Sequence, residues 1–186
     1  MTHVKIAPRT LALYVTTRGI SFMCFVHPSM VIDWGAKNIS SKDKARHIDT
    51  LNAAKNIINE FCPTVLVIEN VEDGYSKRSP RMKSLYRVIA SYGEKKGMAV
   101  HRYSRRDIRD VFSPTGATNK HHINCAIVRM LPMLESRCPP KRKNYKAEPA
   151  EQGMFDAAAL GYVFFVRRKR FEIMAALADA MPVIEA

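Results

Sequence analysis

The 186 residues correspond to one domain that is long enough to bury a hydrophobic core. A hydrophobic fraction of 47% with 25% charged residues excludes a disordered chain. The 30 Lys and Arg residues outnumber 17 Asp and Glu and give a formal net charge of +13, which favours a polyanionic partner such as nucleic acid, with an anionic membrane surface second. A basic protein without such a partner stays open. The sequence shows no apolar run that could span a membrane and no signal-peptide core, so we expect a cytoplasmic protein.

The first third of the chain predicts a strand meander. "LALYVTTRGISFMCF" (11–25) has two apolar runs separated by a polar turn that ends at Gly19, and "MVIDWGAKNI" predicts a third strand ending at Trp34-Gly35. The next segment, 44–61, has helical spacing, with one apolar face formed by Ile48, Leu51, Ile58 and Phe61.

The middle of the chain alternates between strand and helix. "TVLVIEN" (64–70) is a continuous apolar run that is typical of a central strand buried on both faces. After a polar, basic loop, Ser79 and Pro80 predict the N-cap and first residue of a helix that Gly97 closes. "MAVHRYS" is the fifth predicted strand.

The last third of the sequence predicts two helices. The first is capped by Thr118 or Asn119 and shortened by Pro132, and "RCPPKRKNYKAEPAEQG" then reads as an exposed loop. The final helix, 154–181, is apolar to Val166 and then basic. Its amphipathic end favours packing or dimerisation.

The resulting order, β-β-β-α-β-α-β-α-α, resembles that of the RuvC-like resolvases in the RNase H-like superfamily. The resemblance rests on the turn of the first hairpin, on the strand "LVIEN", and on "RK…E…FDAAAL" near the end of the sequence, and it covers about residues 10–165. It implies an α/β fold with a five-stranded mixed sheet flanked by helices. We expect one domain over residues 1–186 with a core at about 10–165, followed by a basic and then amphipathic helix over 166–186. The resemblance also implies a homodimer.

The same resemblance implies a Mg²⁺ or Mn²⁺ site. Glu69, at the end of "LVIEN", and Asp156, in "FDAAAL", match metal-binding acids of the family. A second acid of the family, three residues before that aspartate, corresponds here to Gly153, and Glu148 or Glu151 can substitute for it. From the residues alone, Glu69 can instead face solvent or pair with an arginine, and Asp156 can be a partner of the helix dipole.

Tyr14 is the main departure from the family pattern. The resemblance places a metal-binding aspartate at the end of the first strand, and Tyr14 stands at that position. A neutral phenol is a poor ligand for Mg²⁺, which prefers charged oxygen atoms. Tyr14 can orient a water molecule or a phosphate oxygen, or it can pack in a core that no longer catalyses.

Several basic residues flank the predicted acids and are candidates for contacts with backbone phosphates, which fix nucleic acid without reading its sequence. They lie in the first turn, in the loops after the predicted strands, at a helix start and in the late basic loop: Arg18, Lys77, Arg78, Arg81, Arg105, Arg106, Arg109, Lys120, Lys141, Arg142, Lys143 and Lys146.

Two functions follow from these features. One is a metal-dependent endonuclease on DNA, branched DNA such as a Holliday junction included, with Glu69, Asp156, Glu148, Glu151 and Tyr14 at its catalytic site. The other is a catalytically degenerate module that binds DNA without cutting it. Tyr14 favours the second function, and the two retained acids favour the first.

Overall fold

The computed structural model describes residues 8–41, 43–141 and 148–180. Its centre is a sheet of five strands: β1 (Thr10–Thr16), β2 (Gly19–His27), β3 (Met30–Asn38), β4 (Val65–Glu69) and β5 (Ala99–Tyr103). The strand order is β3-β2-β1-β4-β5, with antiparallel pairing among the first three strands and parallel pairing of β4 with β1 and β5. This sheet confirms the predicted five-stranded mixed arrangement.

The helices of the described chain are α1 (Asp43–Phe61), α2 (Pro80–Lys95), α3 (Arg105–Phe112), α4 (Lys120–Met130) and α5 (Gln152–Ala180), with 3₁₀ turns at Ser113–Thr115 and Pro132–Arg137. The predicted caps are confirmed, since the Ser79 and Asn119 side chains accept hydrogen bonds from backbone N–H groups of α2 and α4. Among these described helices, none is long and apolar enough to span a membrane.

The prediction missed α3, which follows β5 directly. Its sequence, RRDIRDVF, is short and strongly charged, and its three apolar residues, Ile108, Val111 and Phe112, show helical spacing over one turn only, which is too short a pattern to indicate a helix. A capping box between Ser104 and Asp107 starts the helix, and three apolar residues attach it to the core. The segment thus depends on its cap and on tertiary contacts.

Two further sequence predictions were wrong in detail. Ile48 is 61% exposed, because the described part of α1 that packs against the core begins only at Thr50 and Leu51. The third strand does not end at Trp34-Gly35 but continues to Asn38, since its pairing with β2 extends to the Gly19–Asn38 pair.

The sheet has a hydrophobic cluster on each face. One joins the sheet to α3, α4 and α5, and the other joins it to α1 and α2. Burial on both faces explains why β1 and β4 read as continuous apolar runs. Polar side chains can therefore meet at the ends of the parallel strands β1 and β4.

Candidate nucleic-acid interface

Polar side chains from distant parts of the sequence meet at the sheet edge where β1, β4 and β5 end. Tyr14 lies near the end of β1, Glu69 is the last residue of β4, and Arg105 begins α3 just after β5. Asp156 in the first turns of α5 faces them, within reach of Arg105. In open α/β sheets, this carboxyl edge is where ligands bind.

Glu69 is 6% exposed and is bound by two neighbours. Arg78 donates to its Oε2 from Nε at 2.9 Å and from Nη2 at 2.5 Å, and the Tyr86 hydroxyl lies 3.2 Å from the same oxygen. Pairing with an arginine was one of the two structural alternatives for this residue. The geometry thus gives a buried carboxylate whose charge is compensated by the loop that follows β4.

Asp156 is 7% exposed and lies between two basic side chains. Its Oδ2 is 3.5 Å from Lys120 Nζ and 3.8 Å from Arg105 Nη2, and Gln152 Nε2 lies 3.4 Å from Oδ1. Burial raises the pKa of Asp156, and Lys120 and Arg105 offset that effect only in part. Folding therefore forces this carboxyl group into an environment that penalises its charged form.

The two candidate supporting acids differ in position. Glu148 reaches Lys120, with 2.5 Å between Oε1 and Nζ, and so joins the same cluster of charges. Glu151 is exposed at the turn before α5 and is not among the described residues that line the cleft. A role for Glu151 stays a prediction.

Tyr14 is 5% exposed and holds two arginines in place. Its hydroxyl accepts a hydrogen bond of 2.7 Å from Arg105 Nη2, and the Arg78 guanidinium lies over its ring at 5.0 Å from the centroid. Burial, and next the charge of Asp156, raise the pKa of Tyr14 well above its usual value. Tyr14 is thus a neutral phenol that orients cationic side chains.

A cleft of about 580 Å³ opens beside these residues. Five basic and three acidic side chains are among those that line it, and the basic ones are Lys77, Arg78, Arg105, Arg106 and Arg109. A smaller cavity of about 290 Å³ adjoins it and is lined by Arg105, Arg109, Lys120 and Asp156. The surplus of basic groups matches the chemistry of a phosphate backbone.

The other predicted phosphate contacts lie around the cleft or apart from it. Arg18 is exposed, and its Nη1 lies 3.5 Å from the Glu148 carbonyl oxygen. Lys141 lines a neighbouring cavity together with Lys120. Arg81 is exposed on α2 and does not line the cleft. Arg142, Lys143 and Lys146 lie outside the described residues.

One site residue escaped the sequence analysis as a member of the site. Tyr86 reads as one more large residue on the buried face of α2, and only the structure shows its hydroxyl at Glu69. Arg109 was predicted with Arg105 and Arg106 as part of one basic segment, and it lies one helical turn after Arg105 in α3.

The residues present do not fit a two-ion metal site as they are arranged. Within the described residues, no group of three or more His, Cys, Asp or Glu side chains is placed to hold a metal ion. Glu69 and Asp156 face basic side chains, and Tyr14 is neutral. At Gly153, a Cβ atom would lie 2.5 Å from Ser21 Oγ, so the close approach of α5 to β2 leaves no room for an acid there.

Comparison with known proteins identifies the fold. No family model and no curated protein matches the chain. Among solved structures, Thermus thermophilus RuvC in complex with a Holliday junction substrate is similar with a TM-score of 0.60 and 9% identity, covering 87% of this chain and 96% of that one. Another structure of Thermus thermophilus RuvC is similar with the same TM-score and coverage at 12% identity.

A yeast mitochondrial Holliday junction resolvase is similar with a TM-score of 0.54 and 11% identity, and the match covers 89% of this chain and 81% of that chain. These likenesses show that the chain has a RuvC-like, RNase H-like fold, as the order of its elements predicted. At such low identity, they establish the fold and leave the chemistry of the cleft to its own residues.

Proposed function

We propose that this chain is a RuvC-like protein that binds nucleic acid, with DNA as its main partner. The basic cleft at the carboxyl edge of the parallel strands is the observation that carries this proposal. Guanidinium and ammonium groups bind phosphates strongly, and the net charge of +13 would draw a polyanion to the protein. One solved relative in fold is described as bound to a Holliday junction, which supports branched DNA as the first substrate to test.

A metal-dependent endonuclease is the activity that the resolvase neighbours support. Glu69 and Asp156 occupy the sheet edge that this activity requires, and Glu148 lies near them through Lys120. Mg²⁺ or Mn²⁺ is the expected cofactor. Activity of this kind requires Arg78 and Lys120 to leave the two acids, because their present partners compete with any metal ion for the same oxygen atoms.

Binding without cleavage is the second candidate, and a specific observation favours it. Tyr14 stands where the resemblance places the first acid, and it contacts Arg105 and Arg78, which pair with Asp156 and Glu69. A site whose acids are neutralised by protein cations can hold a phosphate group without a metal ion.

A cleavage assay separates the two candidates. Purified protein would be incubated with labelled four-way junction, duplex and single-stranded DNA in the presence of Mg²⁺ or Mn²⁺. For a nuclease, Glu69→Gln and Asp156→Asn should abolish cleavage and retain binding, whereas Asp33→Asn on the exposed β3 should cleave normally. Cleavage that survives both site variants would exclude these acids, and binding with no cleavage of any substrate would support the second candidate.

A homodimer is also part of the proposal, and sedimentation of the protein with and without junction DNA tests it. The proposal as a whole would be refuted if the folded protein bound no nucleic acid at low ionic strength, where phosphate contacts are strongest.

A further inference from the structure

Three basic side chains lie where the RuvC-like resemblance places metal ions. Arg78 pairs with Glu69, Lys120 pairs with Asp156 and Glu148, and Arg105 lies within 3.8 Å of Asp156. Each carboxylate that the resemblance assigns to metal binding is therefore opposed by a positive charge that the chain itself supplies.

Arg78 and Arg105 line the cleft, Lys120 lines the adjoining smaller cavity together with Arg105, and none of the three is sealed in the core. The side chains of Arg78, Arg105 and Lys120 are 20%, 45% and 33% exposed, whereas the side chains of the acids Glu69 and Asp156, taken without their backbone atoms, are 8% and 9% exposed. A ligand that enters from solvent meets the cations first. An anion would therefore meet positive charges first, whereas a metal ion would have to pass these positive charges to reach the carboxylates.

Tyr14 fixes the geometry of two of these groups. Its hydroxyl accepts from Arg105 and its ring lies under Arg78, so both guanidinium groups are held at one residue of β1. A guanidinium carries five N–H donors, and the bonds from Nε and Nη2 of Arg78 to Glu69 do not exhaust them. Planar donors held in this way match the bidentate geometry of a phosphate group.

A divalent cation in the same place would meet strong repulsion. Arginine remains charged at every accessible pH, so neither Arg78 nor Arg105 can vacate the site by losing its proton. Lys120 adds a third charge close to both Asp156 and Glu148. The three acids Glu69, Asp156 and Glu148 already face these three cations, so little negative charge is left to hold a metal ion.

We propose that Arg78, Arg105 and Lys120 form a metal-independent site for a backbone phosphate of the bound DNA, with Tyr14 as the residue that positions the two guanidinium groups. This inference rests on the proposed function and names the part of the cleft that holds the phosphate. The buried acids Glu69 and Asp156 serve in it as anchors for the cations.

Fluorescence anisotropy with a labelled four-way junction and a matched duplex tests the site. Each titration is run in EDTA and in Mg²⁺ over a series of salt concentrations. We expect the affinity of the wild-type protein to be the same in both within about two-fold. Arg105→Gln and Lys120→Gln should each weaken binding by about ten-fold and lower the slope of log affinity against log salt by about one.

One control variant and one variant of the positioning residue make these results specific. Arg87→Gln removes an arginine on α2 that pairs with Glu72 outside the cleft, and it should change neither affinity nor salt slope. Tyr14→Phe keeps the ring below Arg78 and removes the bond to Arg105, so it should weaken binding with little change of salt slope. Circular dichroism confirms that each variant is folded, and Lys120, at the first turn of α4, provides a test that does not depend on Arg105.

The outcomes separate this inference from the broader proposal. Binding that requires Mg²⁺, or that Arg105→Gln and Lys120→Gln leave unchanged, overturns the phosphate site and leaves nucleic-acid binding intact. Calorimetric detection of Mg²⁺ in the wild-type protein that Glu69→Gln removes also overturns it. A protein that binds no DNA in any buffer overturns both.

Discussion

Replacing Tyr86 by phenylalanine would test how the fold holds Glu69 at the cleft. Tyr86 is 1% exposed, and its hydroxyl accepts a hydrogen bond of 2.8 Å from the buried Val15 N–H while lying 3.2 Å from Glu69 Oε2. The hydroxyl therefore joins the end of β1, the end of β4 and α2. The variant removes one oxygen atom and leaves the ring to fill the same space.

The expected loss of stability follows from the two contacts. A buried donor left without its acceptor costs about 1–3 kcal/mol, and this penalty applies directly to the Val15 N–H. The second contact contributes less, because Arg78 continues to bind Glu69 through two nitrogens. We expect the free energy of unfolding to fall by about 2–3 kcal/mol, which for a chain of this length lowers Tm by roughly 4–12 °C.

Thermal and urea unfolding of the two proteins measure this effect. Tyr92→Phe is the matched control, since it lies on the same helix and its hydroxyl bonds to Asn59 at the exposed surface. That variant should change the free energy of unfolding by less than about 0.5 kcal/mol. A Tyr86→Phe protein as stable as the wild type would refute the assignment of its hydroxyl as the acceptor for Val15.

Two further predictions concern the charges of the cleft. Burial raises the pKa of Asp156 in the folded protein. At a pH above that pKa, the ionised carboxylate therefore lowers the free energy of unfolding. Below the unfolded-state pKa of about 3.9, the group is protonated in both states and this cost is absent. Asp156→Asn should therefore raise Tm at pH 7 and lose this advantage toward pH 4, and a variant less stable than wild type at pH 7 would show that Lys120 and Arg105 outweigh burial. Tyr14→Asp adds an acid between the cations, so titration calorimetry should detect Mg²⁺ binding in this variant and none in the wild type; equal heats in both would contradict the role assigned to Tyr14.

The secondary structure was largely accessible from sequence because its determinants are local. The continuous apolar run of β4 and the Ser79-Pro80 start of α2 each depend on residues within a few positions of one another. The helix α3 was not accessible in this way, because its apolar residues span a single turn and the helix also depends on a capping box and on tertiary contacts. For Ile48, the sequence predicted the helix correctly but not the burial. The residue lies in α1, before the part of that helix that packs against the core.

The sequence alone determined the RuvC-like order of elements, the basic character of the protein and the two acids Glu69 and Asp156 in their short motifs. These are properties of short segments and of composition. Only the tertiary structure decided what surrounds those acids. Arg105 reaches Tyr14 across 91 residues and Lys120 reaches Asp156 across 36, because strand register and the packing of α4 against α5 bring them together. Pairing of charges depends on these distances in space, and no local pattern in the sequence encodes them.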